Sequence, residues 1–281
     1  MKATPKPQEI ELGGAGGIVL SGETAGDGPD VVLLHGLSAT RRNVVQGSRH
    51  LVKRGYRLIA YDARGHGLSA PPTDPEAYEY SDLVADLDRV LDELEIERPL
   101  LVGSSMGAAA AMAFALAHPD RVPALVQITP AYTGERTTRV PEDQWSRLAD
   151  ALAEGVDAFV DAAVPDDMPD RWREVAREST RQRMERHAHP EAVADALRVV
   201  PFSRAFDGLE LHEQVEVPTL VVGSRDEADS LHPLDVAREY VRRLPDAVLV
   251  VEDEGETPIA WRGATLSRAI ADFLERADVE P

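Results

Sequence analysis

"LLVGSSMGAAAAMAFALA", residues 100–117, decides how this chain folds. Leu100 to Val102 form a short apolar run of the kind that fills a buried strand, and from Met106 onward alanine dominates, the best helix former of all. Between them stands G-x-S-x-G, at Gly103-Ser104-Ser105-Met106-Gly107. A strand that turns this sharply into a helix forces the middle residue, Ser105, into a strained backbone conformation and presents its hydroxyl at the top of a sheet. The two glycines leave room for neighbouring backbone, and the helix N-terminus aims N–H groups and partial positive charge at the serine. The sequence therefore predicts Ser105 as a nucleophile. The bland alternative is a tight helix start without chemistry.

Similar apolar runs bounded by Gly, Pro or Asp recur outward from this point: "VVLLHG" (31–36), "YRLIAYDARG" (56–65), "ALVQITP" (124–130), "PTLVVGSRD" (218–226) and "AVLVVEDEG" (247–255). They read as buried parallel strands. Helical spacing separates them, for example Leu83, Val84, Leu87, Val90, Leu91 and Leu94. Alternating strand and helix predicts an α/β fold with a doubly wound, mostly parallel sheet. The alternation stops over 132–206, which is rich in charge and alanine and holds no strand candidate. The chain thus divides into a core, 1–131 and 207–281, and an inserted helical cap, 132–206. Arg171, Arg173, Arg177, Arg181, Arg183 and Arg186 read as a solvated helix face, with anion binding the lesser alternative. Trp145 and Trp172 read as packing residues, and His187 with His189 lacks a third metal ligand.

Composition narrows the function. At 281 residues the chain can bury roughly 75% of its unfolded surface. A formal charge of −20 repels phosphate backbones and anionic lipid, so no nucleic-acid or membrane partner is expected. With no cysteine there is no disulfide, thiolate metal site or Cys nucleophile. "MKATPKPQEIELGG" lacks the apolar run of a signal peptide, and "GSSMG" interrupts the one long apolar stretch. The expectation is a cytoplasmic protein without metal or cofactor.

On these motifs the chain resembles the α/β-hydrolase superfamily over nearly all of its length outside the cap. "LLHGLSAT" is similar to the family's oxyanion loop, which implies the backbone N–H groups of Leu37 and Met106 as oxyanion donors. "YDARGHGLS" resembles a structural turn, so His66 is implied to be structural, like His35 and His118. "TLVVGSRDEADSLHP" resembles the family's acid loop, which implies Asp226, three residues after Gly223, as the catalytic acid, with Asp229 the fallback. The family's histidine follows the last strand, in a Gly-His pair. Seventeen residues before Phe273, behind Gly255, this chain carries Glu256 instead, and no histidine follows His232.

A missing histidine removes the group that takes the serine proton and returns it to the leaving group. Three readings stay open. His232 substitutes as the base; or Glu256 is itself the base, with a pKa raised by a nearby Asp226; or the protein is a pseudoenzyme or binding module holding a small ligand between core and cap. The resemblance implies a serine hydrolase of carboxylic esters, lactones or thioesters. Its non-standard triad would be Ser105, Asp226 and Glu256, and its small-molecule substrate would carry an apolar acyl part.

Overall fold

The computed structural model describes residues 4–134, 142–225 and 227–277. Asp226 and part of the inserted segment, 135–141, lie outside the described residues. Eight strands form one sheet in the order β1-β2-β4-β3-β5-β6-β7-β8. They are β1 (Gln8–Gly13), β2 (Val19–Ala25), β3 (Asp30–Leu34), β4 (Arg57–Tyr61), β5 (Leu100–Ser104), β6 (Leu125–Ile128), β7 (Thr219–Val222) and β8 (Ala247–Val250). From β4 to β8 every pairing is parallel; β1 and β2 form an antiparallel hairpin laid against β4.

Side-chain alternation along the parallel strands explains the two-sided burial. Val32, Leu34, Leu101, Leu125 and Val221 face one apolar cluster, which also takes Phe114 and Tyr240. Those two belong to α3 (Met106–Ala117) and α8 (Leu234–Arg243), and α2 (Tyr80–Glu93) lies on the same side. Val31, Leu33, Val102, Val126 and Val222 face the other cluster, with Leu51 of α1 (His50–Lys53) and Leu266 and Ile270 of α9 (Gly263–Arg276). Both faces of each central strand are covered, so these strands read as continuous apolar runs. Each run in the sequence outlasts its strand at the C-terminal end; the surplus residues form the loops at that end of the sheet. The hairpin was not among the expected strands. Its inward residues, Leu12 and Leu20, are buried, while its outward positions are polar or small apart from the exposed Val19.

Between β6 and β7 the described chain is helical: α4 (Glu142–Glu154), α5 (Val156–Ala163), α6 (Asp170–Met184) and α7 (Pro190–Val199). Leu148, Phe159, Met184, Val193 and Leu197 make an apolar cluster of their own. Helix α7 joins this layer to the core, because Ala192 and Ala196 pack with Met106, Ala109 and Ala110 of the serine-bearing turn and helix. Trp172 meets Trp261 edge-to-face at 6.2 Å, a second seam between α6 and the core. Trp145 packs against the cluster inside the layer.

His212 is fully buried between Phe206 and Tyr240, at ring separations of 5.0 and 4.4 Å, and neither ring nitrogen has a hydrogen-bond partner among the described residues. Burial, reinforced by the Arg243 charge, lowers its pKa to about 4. The folded state therefore holds His212 neutral, whereas the unfolded chain takes up a proton as pH falls below 6.5. Stability is full above that value and declines as pH falls toward 4. His212→Phe should remove this dependence. Urea denaturation at pH 5.0 and 7.5 should show a smaller pH loss in the variant, by roughly 2 kcal/mol. Parallel losses in the two proteins would refute the assignment.

Candidate active site

The turn between β5 and α3 is one residue long. Ser105 sits at φ 50°, ψ −109°, the left-handed half of the map that non-glycine residues avoid. Such a conformation costs on the order of 1–3 kcal/mol and persists because its surroundings hold it. Ser105 N–H donates to the Ile128 carbonyl at 3.0 Å, and its own carbonyl accepts from Ala109 N–H at 3.0 Å. The flanking glycines are required by space: a Cβ on Gly103 would strike the Gly107 carbonyl, and one on Gly107 would strike the Leu34 carbonyl. Gly36 is tight but less confined, since a Cβ there would come within 3.3 Å of the Ser105 Cβ.

His232 completes the constellation from the loop between β7 and α8. Its Nε2 lies 2.8 Å from Ser105 Oγ, and its Nδ1 lies 2.7 Å from Asp229 Oδ1. A carboxylate opposite Nδ1 places the imidazole proton there, which leaves Nε2 to accept from the serine hydroxyl. Burial pulls the His232 pKa down. The charge and hydrogen bond of Asp229 outweigh it, with Arg183 opposing them, and the pKa ends above its ordinary value. The loop is clamped from β8: the buried Glu252 accepts from Arg225 N–H at 2.6 Å and from the Ser224 hydroxyl at 3.3 Å. From the other side, Arg171 at the start of α6 pairs with Glu227.

Around Leu37, the chain after β3 is held by three neutral histidines. His35 Nδ1–H donates to the Gly36 carbonyl at 2.8 Å while its Nε2 accepts from Ala63 N–H at 2.8 Å. His66 Nε2 accepts from Ser38 N–H at 3.3 Å. His187, reaching in from the helical layer, accepts from Gly67 N–H at 2.8 Å and donates to the Ser38 carbonyl at 3.2 Å. Burial lowers all three pKa values, to about 3 for His35 and His187, so these rings bridge backbone groups without adding charge. Leu37 and Met106 N–H groups have no hydrogen-bond partner among the described residues. On the far side of the turn, a cavity lined by Leu34, His35, Met106 and Ala110 measures about 20 Å³, room for one water rather than for a substrate.

The sequence-derived candidates fare unequally. Ser105, Leu37 and Met106 surround the tip of the turn, and Asp229 and His232 join Ser105 in one hydrogen-bonded chain. Asp226 lies outside the described residues. Glu256 is not brought to the serine: its side chain is 53% exposed and its nearest charged partner is Arg262, at 3.5 Å. The physical reason is local. Glu256 N–H closes a turn on the Asp253 carbonyl at 3.0 Å, and that turn leaves its carboxylate in solvent, where hydration stabilises it. His187, one of the pair with His189, spends both ring nitrogens on backbone. His118 ends α3 and stacks on Phe114 at 4.5 Å. Glu252 was missed by the sequence reading, because nothing in "VVEDEG" marks which of its three acids turns inward.

Comparison with known proteins places this geometry in a family. A family model for the alpha/beta hydrolase fold matches residues 29–262. A 2-hydroxy-6-oxononadienedioate/2-hydroxy-6-oxononatrienedioate hydrolase from Cupriavidus pinatubonensis is 29% identical over 261 residues, covering 90% of this chain and 89% of its own. Epoxide hydrolase 3 from Siraitia grosvenorii is 41% identical over a shorter stretch, 40% of this chain; the match spans only 36% of that relative's length. Among solved structures, an esterase from Thermogutta terrifontis superposes with a TM-score of 0.78 at 26% identity, covering 96% of this chain and 99% of the other. No described helix is long and apolar enough to cross a membrane. With the family model running from before β3 to the threshold of α9, the chain belongs to the alpha/beta hydrolase fold family.

Proposed function

We propose that this protein hydrolyses carboxylic esters, lactones or thioesters with Ser105 as nucleophile, His232 as general base and acid, and Asp229 as the group that orients and charges His232. The observation that carries the reading is the unbroken chain of 2.8 and 2.7 Å contacts from Ser105 Oγ through the imidazole to Asp229. Its relatives support it, since the full-length match is a hydrolase and the Thermogutta structure an esterase.

In this mechanism Ser105 Oγ attacks the substrate carbonyl carbon as its proton passes to His232 Nε2. The imidazolium that forms is stabilised by the Asp229 carboxylate. The carbonyl oxygen, now an oxyanion, accepts hydrogen bonds from Leu37 and Met106 N–H at the positive end of α3. Collapse breaks the bond to the leaving group, which takes the proton from His232 and departs, leaving an acyl-serine. Water then repeats the sequence: His232 takes its proton, the hydroxide oxygen bonds to the acyl carbon, and Ser105 leaves with the proton restored. Asp229 never needs to protonate.

Kinetics on p-nitrophenyl butyrate test the roles. Ser105→Ala and His232→Ala should each lower kcat by roughly 10⁴-fold or more, and the double variant should lose little beyond either single one. Glu256→Gln, which the turn keeps in solvent, should stay within about threefold of wild type. A folded wild-type protein that neither turns over esters nor labels at Ser105 with a fluorophosphonate would instead be the binding module.

The pH profile tests the Asp229 pairing separately. Neutral His232 is the working form and its pKa is raised, so kcat/KM should fall as pH drops through a midpoint above 6.5. Asp229→Asn removes the charge that raises it, and the acid limb should move to lower pH while the plateau falls by roughly 10²–10⁴-fold. An acid limb that stays in place would show that another carboxylate sets the histidine.

A further inference from the structure

The arginines of α6 do not share one environment. Arg171 pairs with Glu227, Arg173 with Asp170 at 2.6 Å, Arg177 with Asp161, and Arg181 with Asp157 at 2.9 Å. Arg186 is exposed. Arg183 differs from all of these. It is partly buried, its Nε is sealed from solvent without a hydrogen-bond partner, and no carboxylate among the described residues lies within ion-pair distance of its guanidinium.

Its surroundings are those of the site. The next residue, Met184, is in the apolar cluster of the helical layer, and Leu37 of the oxyanion loop packs against that same cluster. Four residues on, His187 bonds Gly67 N–H and the Ser38 carbonyl beside that loop. Arg183 is stabilised by the Asp229 charge and opposes protonation of His232. Asp229 does not close an ion pair with it; its Oδ1 is hydrogen-bonded to His232 at 2.7 Å. Burial outweighs the help from Asp229 and pulls the Arg183 pKa down, so the cation is left under-compensated. A half-buried cation without an ion-pair partner carries a desolvation cost that an anion would offset.

On the ester-hydrolase reading above, we infer that Arg183 is a specificity-determining residue that receives an ionised carboxylate carried by the substrate in addition to its scissile bond. A planar guanidinium suits a carboxylate, which it can grip through two parallel N–H donors. Asp229 and the overall charge of −20 repel anions, so a singly charged group is admitted on better terms than a phosphoryl dianion. The substrate class is then an ester, lactone or thioester of a dicarboxylic acid or a hydroxy acid. The apolar acyl part expected from the composition of 132–206 is replaced, at one end, by a charge.

Two probes test it, mono-p-nitrophenyl glutarate and the neutral p-nitrophenyl butyrate, with wild type, Arg183→Met and Arg183→Lys. Methionine keeps the unbranched apolar stem, and lysine keeps the charge without the fork. Wild type should favour the glutarate in kcat/KM. Arg183→Met should lose roughly ten- to a hundredfold of that preference, mainly through KM, and Arg183→Lys should recover part of it. Equal loss on both esters, or no wild-type preference, overturns the inference. Calorimetry with glutarate itself separates this from the catalytic reading. Binding by wild type and Ser105→Ala that Arg183→Met weakens at least tenfold upholds the anion site even if no ester is turned over. Absence of glutarate binding together with neutral-ester turnover refutes Arg183 and leaves the hydrolase standing.

Discussion

The close approach of α3 to the end of β3 sets everything else in this site. β3 and β5 are neighbours in the sheet, with Leu34 opposite Gly103, so the helix that leaves β5 starts against the chain that leaves β3. Only glycine at 107 lets that helix press on the Leu34 carbonyl, and glycine at 36 lets the next loop pass close to the serine. Once these backbones touch, Leu37 and Met106, 69 residues apart in the chain, pack in one apolar cluster beside the serine turn. The strain at Ser105 is held by the sheet, through its hydrogen bond to Ile128, rather than by the serine's own preferences.

Charge is distributed to match. His35, His66 and His187 meet tilted and edge-on, with ring separations of 5.2 and 5.7 Å, and burial keeps them neutral, so they bridge backbone groups of the loop after β3 without adding charge there. His232 is the opposite case, an imidazole supplied with a carboxylate and therefore ready to become cationic. The same residue type serves both ends because the partner decides its proton affinity: a carbonyl for three rings, Asp229 for the fourth.

Much of this was legible in the sequence. Period-2 burial on both faces made the parallel strands visible as apolar runs, and the glycine pattern around Ser105 located the turn from local sterics alone. Resemblance pointed to Glu256 by counting from the last helix, and Glu256 at that count lies in a solvent-exposed turn. The Asp229–His232 pair has a local signal, three residues apart before a proline, but its meeting with Ser105 spans 127 positions and depends on how β7 lies beside β6. No local pattern carries that distance. The β1–β2 hairpin was missed for a related reason: two short strands broken by glycines have little periodicity of their own, and their pairing with β4 completes them.

On the proposed mechanism, taking base and acid from one loop changes how the site fails. When histidine and carboxylate come from different strands, a loop shift breaks their pairing and alters the base itself. Here Asp229 and His232 move together, so a shift of the 224–233 loop preserves the imidazole's raised proton affinity and breaks only its contact with Ser105. A displacement of about 1 Å at that contact costs roughly 10²-fold in rate. The distance from His232 to the serine is therefore the sensitive quantity, and the clamps on this loop acquire their importance from it. Glu252 holds the loop from β8 through Ser224 and Arg225, and Arg171 holds it from α6 through Glu227. On the proposed mechanism the last strand carries no base and acts instead through Glu252, by fixing where His232 stands.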